Sequence, residues 1–501
     1  MEALSYLLIG FQEVLTPVNL FWVLIGGVTG TIIGMLPGVG PATGVAVLIP
    51  LTYGMNPTTA LITMAAIYYG AMFGGSRASI MINTPGDAAS IATCFDGYPM
   101  TRNGEAGKAL AISAIASFVG GCISVIMLVF LTLPVADLAL EFGPAEMFAL
   151  LLFALTATVT LSQGSIAKGF VALSLGFMLS TIGIDAQTGL MRFTFGVTAL
   201  QDGIDFLVAM IGLYAVAEAF RNYASIDRRY RIDVTSIGKV MISRQDMKKC
   251  LMPMLRSSPL GFIIGVLPGM GASVASMLAY ATEKQLNKNP ERFGKGAIEG
   301  VAAPEAANNG ASSGAMIPLL TLGIPGSGTT AVMLGALMML GVKPGPVLFQ
   351  QHPEIAWGVI ASIIIGNVIL IVINLGLVVP IVKLLNVPQR ILIPMILGLG
   401  FLGTYLLNYS AFDFLLLSVF GLGGYIMSKL EVPIPPLVLA LILGSNTEQS
   451  FRRALSISNG DFMIFLQKPI SLVLIVLAIF SLVYSIRREV RSATKAEDVV
   501  A

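Results

Sequence analysis

The sequence predicts an all-α polytopic membrane protein, with roughly ten to twelve transmembrane helices when the apolar runs are divided by the ~20 residues a helix needs to cross a bilayer. Those helices are expected in two homologous, inverted repeats that contain broken helices and re-entrant hairpins. Three observations predict this. Charged residues are only 11% of the chain and hydrophobic ones 55%, against the roughly 25% charged content of soluble domains. Uncharged runs long enough to span recur, among them Ala109 to Ala136, Ile355 to Val382 and Pro469 to Ile486. Barrel strands would alternate polar and apolar residues, and these runs do not. The third observation is that a proline-glycine interruption, "GMLPGVG" at 34–40, returns as "GVLPGMG" at 265–271.

The opening residues, "MEALSYLLIGFQEVL", lack a basic leader and a small-residue cleavage site, so the first span is expected to act as the membrane signal itself. "GMLPGVG" interrupts that span. Proline removes a backbone donor and glycine admits conformations closed to other residues, so Leu36-Pro37-Gly38 ends one helical segment and lets another begin. Backbone freed this way is tolerated at membrane depth only inside protein or against a water-filled cavity. A second interruption follows in "GAMFGGSRASIMINTPG", 70–86, which matches "GASSGAMIPLLTLGIPG", 310–326. The first pair is offset by 231 residues (34 to 265) and the second by 240 (70 to 310). The extra residues fall in the polar loop "EKQLNKNPERFGKG".

Residues 1–220 therefore read as a first transmembrane repeat and 257–465 as a second, joined by a basic linker at 221–256. A further helix at 466–486 and a tail at 487–501 follow. Nine of the 29 Lys and Arg residues lie between Arg221 and Arg256, against three acidic ones, which assigns that linker to the cytoplasm. Arg487, Arg488, Arg491 and Lys495 put the tail there too. The loop Tyr53 to Thr58 is uncharged, while its second-half counterpart carries Lys284, Lys288, Arg292 and Lys295. Equivalent loops of opposite charge character argue for inverted topology; Arg452 and Arg453 argue against it. If the basic loop and the linker share one side, "GVLPGMG" enters and leaves on that side, as a hairpin.

Paired halves with broken segments at matching positions are the pattern of a secondary transporter whose site lies between the repeats. Helix N-termini there suit carboxylate, and C-terminal carbonyls suit Na⁺. Candidate binding residues cluster at the breaks: Pro37, Gly38, Gly40 and Thr43; Asn83, Thr84, Pro85 and Gly86; Pro268, Gly269 and Gly271; Asn308, Asn309, Ser312 and Ser313; Pro325, Gly326, Ser327 and Thr329. Hydroxyls and amides offer donors to an anion and oxygens to a hard cation. Asp87 and Glu305 are ionisable groups in apolar surroundings, fit to hold a cation or carry a proton, and Arg77 is placed to pair a carboxylate. Packing between small residues explains part of this set equally well. Cys94, Cys122 and Cys250 have neither disulfide nor metal spacing, so no metal site is expected.

Four long stretches carry a family resemblance. "GMLPGVGPATGVAVLIPLTYGM", "YYGAMFGGSRASIMINTPGDAASIATCFDGYPMTRNGEAGKAL", "GKGAIEGVAAPEAANNGASSGAMIPLLTLGIPGSGTTAVMLGAL" and "GVKPGPVLF" resemble the large membrane subunit of tripartite tricarboxylate transporters, the TctA family. The resemblance implies a bacterial inner-membrane permease that works with a small membrane subunit (TctB-like) and a periplasmic solute-binding protein (TctC-like). It implies uptake of citrate-like or other carboxylates coupled to Na⁺ or H⁺, with no other cofactor and no enzymatic activity. The absence of a GxxxxGK[ST] phosphate loop agrees with a gradient-driven process. The different-class readings are a membrane-embedded enzyme acting on lipid, which would need clustered catalytic groups, and a passive anion channel, which would show flux without any gradient.

Overall fold

The computed structural model describes residues 2–36, 39–162, 165–185, 187–223, 237–269, 271–384 and 389–500. Helix follows helix along the chain: α1 (Glu2–Val14), α2 (Pro17–Met35), α3 (Pro41–Leu48), α4 (Pro57–Ile82), α5 (Ile91–Arg102), α6 (Ala106–Leu140), α7 (Pro144–Leu161) and α8 (Ile166–Ser180). A small antiparallel pair, β1 (Gly183–Ile184) with β2 (Met191–Arg192), precedes α9 (Phe206–Met210), a π-helical stretch (Ile211–Val216) and α10 (Ala217–Tyr223). Next come α11 (Arg244–Val266), α12 (Gly271–Leu286), α13 (Glu299–Gly314), α14 (Met316–Leu322), α15 (Gly328–Met339), α16 (Pro346–Gln351), α17 (Pro353–Gly376) and α18 (Val378–Lys383). The last are α19 (Gln389–Asn408), α20 (Ala411–Lys429), α21 (Ile434–Ile457), α22 (Ile464–Gln467) and α23 (Pro469–Val500).

The protein is an all-α polytopic membrane protein. Among the described residues, five helices are long and apolar enough to cross a bilayer: α2, α6, α17, α20 and the Pro469–Arg487 part of α23. Other apolar helices, such as Pro144–Thr160 and Gly328–Met339, are shorter, because glycines and prolines cut the apolar runs into pieces.

Both "LPG" breaks turn the chain back on itself. Leu36 (ψ 121°) and Leu267 (ψ 124°) adopt the extended conformation that a following proline imposes, and α2 and α11 stop there. Arg256 on α11 and Glu283 on α12 then meet through two hydrogen bonds of 2.9 and 2.8 Å. In a straight helix 27 residues would separate them by ~40 Å, so α11 and α12 form a hairpin. In the first half, α3 folds back until Gly44 lies against the Ile33 side chain of α2. The other breaks are hairpins as well. Asn83 (φ 52°) and Gly323 (φ 67°) end α4 and α14 in the left-handed conformation open to Asn and Gly. The Thr101 hydroxyl returns to donate to the Ile80 carbonyl at 2.8 Å, and the Gly345 amide to the Leu320 carbonyl at 3.0 Å.

Glycine allows the hairpins to pack closely. Gly30 and Gly34 of α2 touch the backbone of Ile67 and Ala71 on α4, leaving no room for a Cβ; Gly261 and Gly265 of α11 touch Ala307 and Ala311 on α13 in the same way. Each second contact lies 231 residues along α11 and 240 along α13 from the first, as 34 to 265 and 71 to 311 illustrate.

The stretch 221–256, expected to be a linker, is helical from Arg244 onward. Ser243 and Asp246 form a capping box that starts α11 there. Residues 224–236 of that linker lie outside the described residues, as do Pro37 and Gly38. The expected helix 466–486 continues as α23 through the tail to Val500.

Outside the hairpins, α7 and α8 pack on α21, and α7 also packs on α23; α19 and α20 pack on the π stretch and α10. Arg452 of α21 donates to Asp185 at 3.0 Å, and Arg192 donates to Glu448 at 2.9 Å. The Thr188 hydroxyl and the Arg452 guanidinium hold the Asp185 carboxyl down at about 2. Arg452 is therefore a paired charge, and its weight as a marker of membrane sidedness is correspondingly small.

Candidate functional site

All four interruptions come together at one cavity of about 630 Å³. Its wall takes Gly40 and Thr43 from the first break, Pro85, Gly86 and Asp87 from the second, Gly269 and Gly271 from the third, and Ser327 and Thr329 from the fourth. The rest of the lining comes from Thr158 of α7, the π stretch and α10, Gly424 and Ser428 of α20, and the first turns of α21. The cavity thus lies where the hairpins meet the outer helices.

Two half-helices begin at its edge with the same device, one capped by an ionisable side chain and the other by a neutral one. Asp87 caps the turn leading into α5: its Oδ1 accepts the Ser90 amide at 3.1 Å, and the Asp87 amide donates to Ser90 Oγ at 3.3 Å. Ser327 caps α15 the same way, accepting the Thr330 amide at 3.3 Å while its own amide donates to Thr330 Oγ1 at 2.8 Å. Asp87 and Ser327 lie 240 residues apart. The Asp87 carboxyl itself already caps the positive end of the first segment. The Ser327 cap is neutral, and the amides of Gly328 and Thr329 have no earlier carbonyl inside the helix to receive them. That end is open to a carboxylate.

Two tyrosines aim at the same end. Tyr68 Oη lies 3.4 Å from Ser327 Oγ. The Tyr214 hydroxyl is buried and has no hydrogen-bond partner among the described residues. It lies so close to Gly328 that a Cβ there would come within 2.8 Å of it. Tyr214 sits in the π stretch, a local widening of the helix often found at functional positions, and its carbonyl accepts the Thr43 hydroxyl at 3.2 Å. Glu218 and Arg221, one turn apart on α10 and paired as ions, complete this wall, with Asn222 donating to Glu218 at 3.1 Å.

The remaining candidates lie elsewhere. Asn83, Thr84, Pro268, Pro325 and Gly326 belong to the breaks but do not line the cavity; the carbonyl of Gly326 receives the Gly269 amide at 3.2 Å, tying two breaks together. Asn308, Asn309, Ser312 and Ser313 are buried within α13, where Asn309 donates to the Glu305 carbonyl at 3.0 Å and to Asn308 Oδ1 at 2.8 Å. Glu305 and Arg77 are also fully buried, away from the cavity wall. Sequence reasoning missed Tyr68, Tyr214, Thr158, Glu218 and Arg221 as lining residues. Glu218 had a legible signal, an acid inside the apolar run "LVAMIGLYAVAEAF". The tyrosines had none, because a tyrosine in an apolar run reads as packing.

Residues 20–439 match the profile of the tripartite tricarboxylate transporter TctA family. Among curated proteins, the chain is 41% identical over 492 residues to an uncharacterized 52.8 kDa protein in the TAR-I ttuC' 3' region of Agrobacterium vitis, covering 98% of each chain. It is 42% identical over 232 residues to an uncharacterized protein in the TAR-II ttuC' 3' region of the same organism, covering 46% of this chain and 96% of that one. No solved structure matches.

Proposed function

This chain belongs to the tripartite tricarboxylate transporter TctA family, and on that premise we propose that it is the large permease subunit of a binding-protein-dependent secondary transporter that imports carboxylates. The observation that carries the reading is the cavity where four broken segments converge, lined by a neutral-capped helix N-terminus, two tyrosine hydroxyls and the Asp87 carboxyl. A substrate carboxylate rests on the Gly328 and Thr329 amides, with Tyr214 and Tyr68 donating to it. Sliding of the hairpins against the outer helices opens the cavity to each side in turn.

The halves act as inverted repeats in this reading; the matching glycine contacts and capping boxes at offsets of 231 and 240 support the repetition, and the contrast in loop charge supports the inversion. The proposed location is the bacterial inner membrane. The partners are a small membrane subunit and a periplasmic solute-binding protein that makes the first selection. The driving force is a Na⁺ or H⁺ gradient, with no enzymatic step.

Net uptake into proteoliposomes, using labelled succinate, malate and citrate, tests the reading. Accumulation against a gradient, only when an ion gradient is imposed, is expected; equal flux with no gradient would point to a channel. Tyr214→Phe removes one donor to a charged oxygen, worth about 1.5–3 kcal/mol, so it weakens substrate affinity by about tenfold or more while membrane insertion is unchanged. Unaltered affinity in that variant would remove Tyr214 from the site.

A further inference from the structure

Behind the cavity wall lies a second polar cluster that the substrate site does not use. Glu305, on α13, has no exposed surface. Its carboxyl accepts the Thr93 hydroxyl of α5 at 2.5 Å and the Ser117 hydroxyl of α6 at 3.2 Å, and among the described residues no cation stands at ion-pair distance from it. Arg77, on α4, is equally buried. Its Nη1 donates to the Phe73 carbonyl and, at 3.1 Å, to Ser76 Oγ, while among the described residues Nε and Nη2 have no partner. A buried guanidinium with two idle nitrogens is costly, as is a buried carboxylate held by two hydroxyls alone. Each lacks what the other offers, yet the two are not bonded.

We propose that Glu305 carries the proton that couples transport to the membrane gradient, with Arg77 as the counter-ion that receives its carboxylate when the proton leaves; this rests on the transporter reading above. On this assignment the arrangement described here is the protonated state of Glu305, and among the described residues the Nε and Nη2 fork of Arg77 has no partner. Its two parallel donors suit a carboxylate held in bidentate fashion. The step is simple: water delivers a proton to one carboxylate oxygen on one side of the membrane and removes it on the other, and no other bond changes. A Na⁺ ion fits this place poorly, because it would face the Arg77 charge and find hydroxyls already donating to the carboxylate. Among the described residues, Asp87 and Cys94 also face Glu305, both on the arm that leads into and through α5, and α6 presents the Ser117 hydroxyl to it.

The same arm joins the two sites. Asp87 lines the cavity and caps the segment that carries Thr93, and Ser79 of α4 donates to the Ser90 carbonyl at 2.9 Å. A shift of this hairpin when substrate binds moves a hydroxyl that holds Glu305, which links substrate occupancy to proton release.

The test uses the assembled transporter in proteoliposomes with labelled succinate, malate and citrate. In the wild type, an imposed pH gradient drives accumulation, and a Na⁺ gradient at equal pH does not. Glu305→Gln is expected to lose accumulation driven by the pH gradient while counterflow exchange, which moves no net proton, persists. Because that variant risks misfolding, proton uptake or release on substrate addition is also measured for the purified wild type in weakly buffered solution with a pH dye, where a change is expected. Wild-type accumulation that follows Na⁺ and ignores pH, a silent dye, or gradient-driven accumulation intact in Glu305→Gln would each overturn the assignment. Absence of wild-type counterflow with all three carboxylates would instead overturn the transporter reading, and the assignment with it.

Discussion

A single methyl group decides whether the hairpins can close. A Cβ on Gly34 would run into the Ala71 carbonyl, and one on Gly265 into that of Ala311. Gly34→Ala and Gly265→Ala are therefore expected to cost about 1–3 kcal/mol each through overpacking, read as a lowered midpoint of thermal unfolding in detergent. Gly423 of α20 has open space around it, so Gly423→Ala stays within about 0.5 kcal/mol of the wild type. Asp96 makes the opposite kind of point. Its buried carboxylate accepts the amides of Gly294, Gly296 and Ala297 at 2.7–2.9 Å and the Tyr280 hydroxyl at 2.9 Å, fastening α5 to the loop before α13. Asp96→Asn replaces an acceptor by a donor facing donors and is expected to cost about 3 kcal/mol, measured in the same melt. Asp96 stands out in the sequence as part of "DGYPM", but its partners lie some 200 residues away and could not be read there.

At the scale of elements, the hairpins were legible because proline and glycine act on the residues beside them. Leu36 and Leu267 take the extended conformation their prolines require, whatever packs nearby. That α11 and α12 fold back rather than bend was argued from the charges flanking them, and the Arg256–Glu283 pair agrees with it. Cysteines at those two positions are expected to be joined by a short bifunctional maleimide; a straight helix would hold them ~40 Å apart, and no bridge would form. The π stretch was not legible, since "IGLYAV" differs in no obvious way from ordinary helix. The β1–β2 hairpin carries its own prediction. Asp185, held at about 2 by Thr188 and Arg452, contributes stability above its unfolded value of about 3.9 and loses it only as pH falls through about 2. Acidification to about pH 4 therefore leaves the protease resistance of 183–203 unchanged, whereas Asp185→Asn exposes that hairpin to nicking at neutral pH.

Over the whole molecule, neither half is complete alone. The helices α7 and α8 find their partner in α21, and α19 and α20 find theirs in α10 and the π stretch before it, so each half covers apolar faces of the other. The cavity likewise takes Asp87 and Tyr214 from one half and Ser327 and Gly271 from the other. Residues 1–230 and 231–501, expressed as separate chains, are expected to aggregate or be degraded singly and to recover insertion and carboxylate counterflow when produced together. A stable, monodisperse first half would show that the exchanged packing is dispensable.

The sequence by itself determined the membrane class, the places where helices break and the two offsets at which those breaks recur. Composition and the local effects of proline and glycine act within a few residues and need no partner to be read. Only the tertiary structure decided which polar groups face the cavity. Asn309 and Glu305 point into a buried layer of α13 while Tyr68, Tyr214 and Glu218 line the wall, because the direction of a side chain depends on how helices are rotated against neighbours hundreds of residues away. The different chemistry of two matching caps, ionisable Asp87 and neutral Ser327, was written in the sequence all along. It gained a meaning only when both were brought to the edge of one cavity.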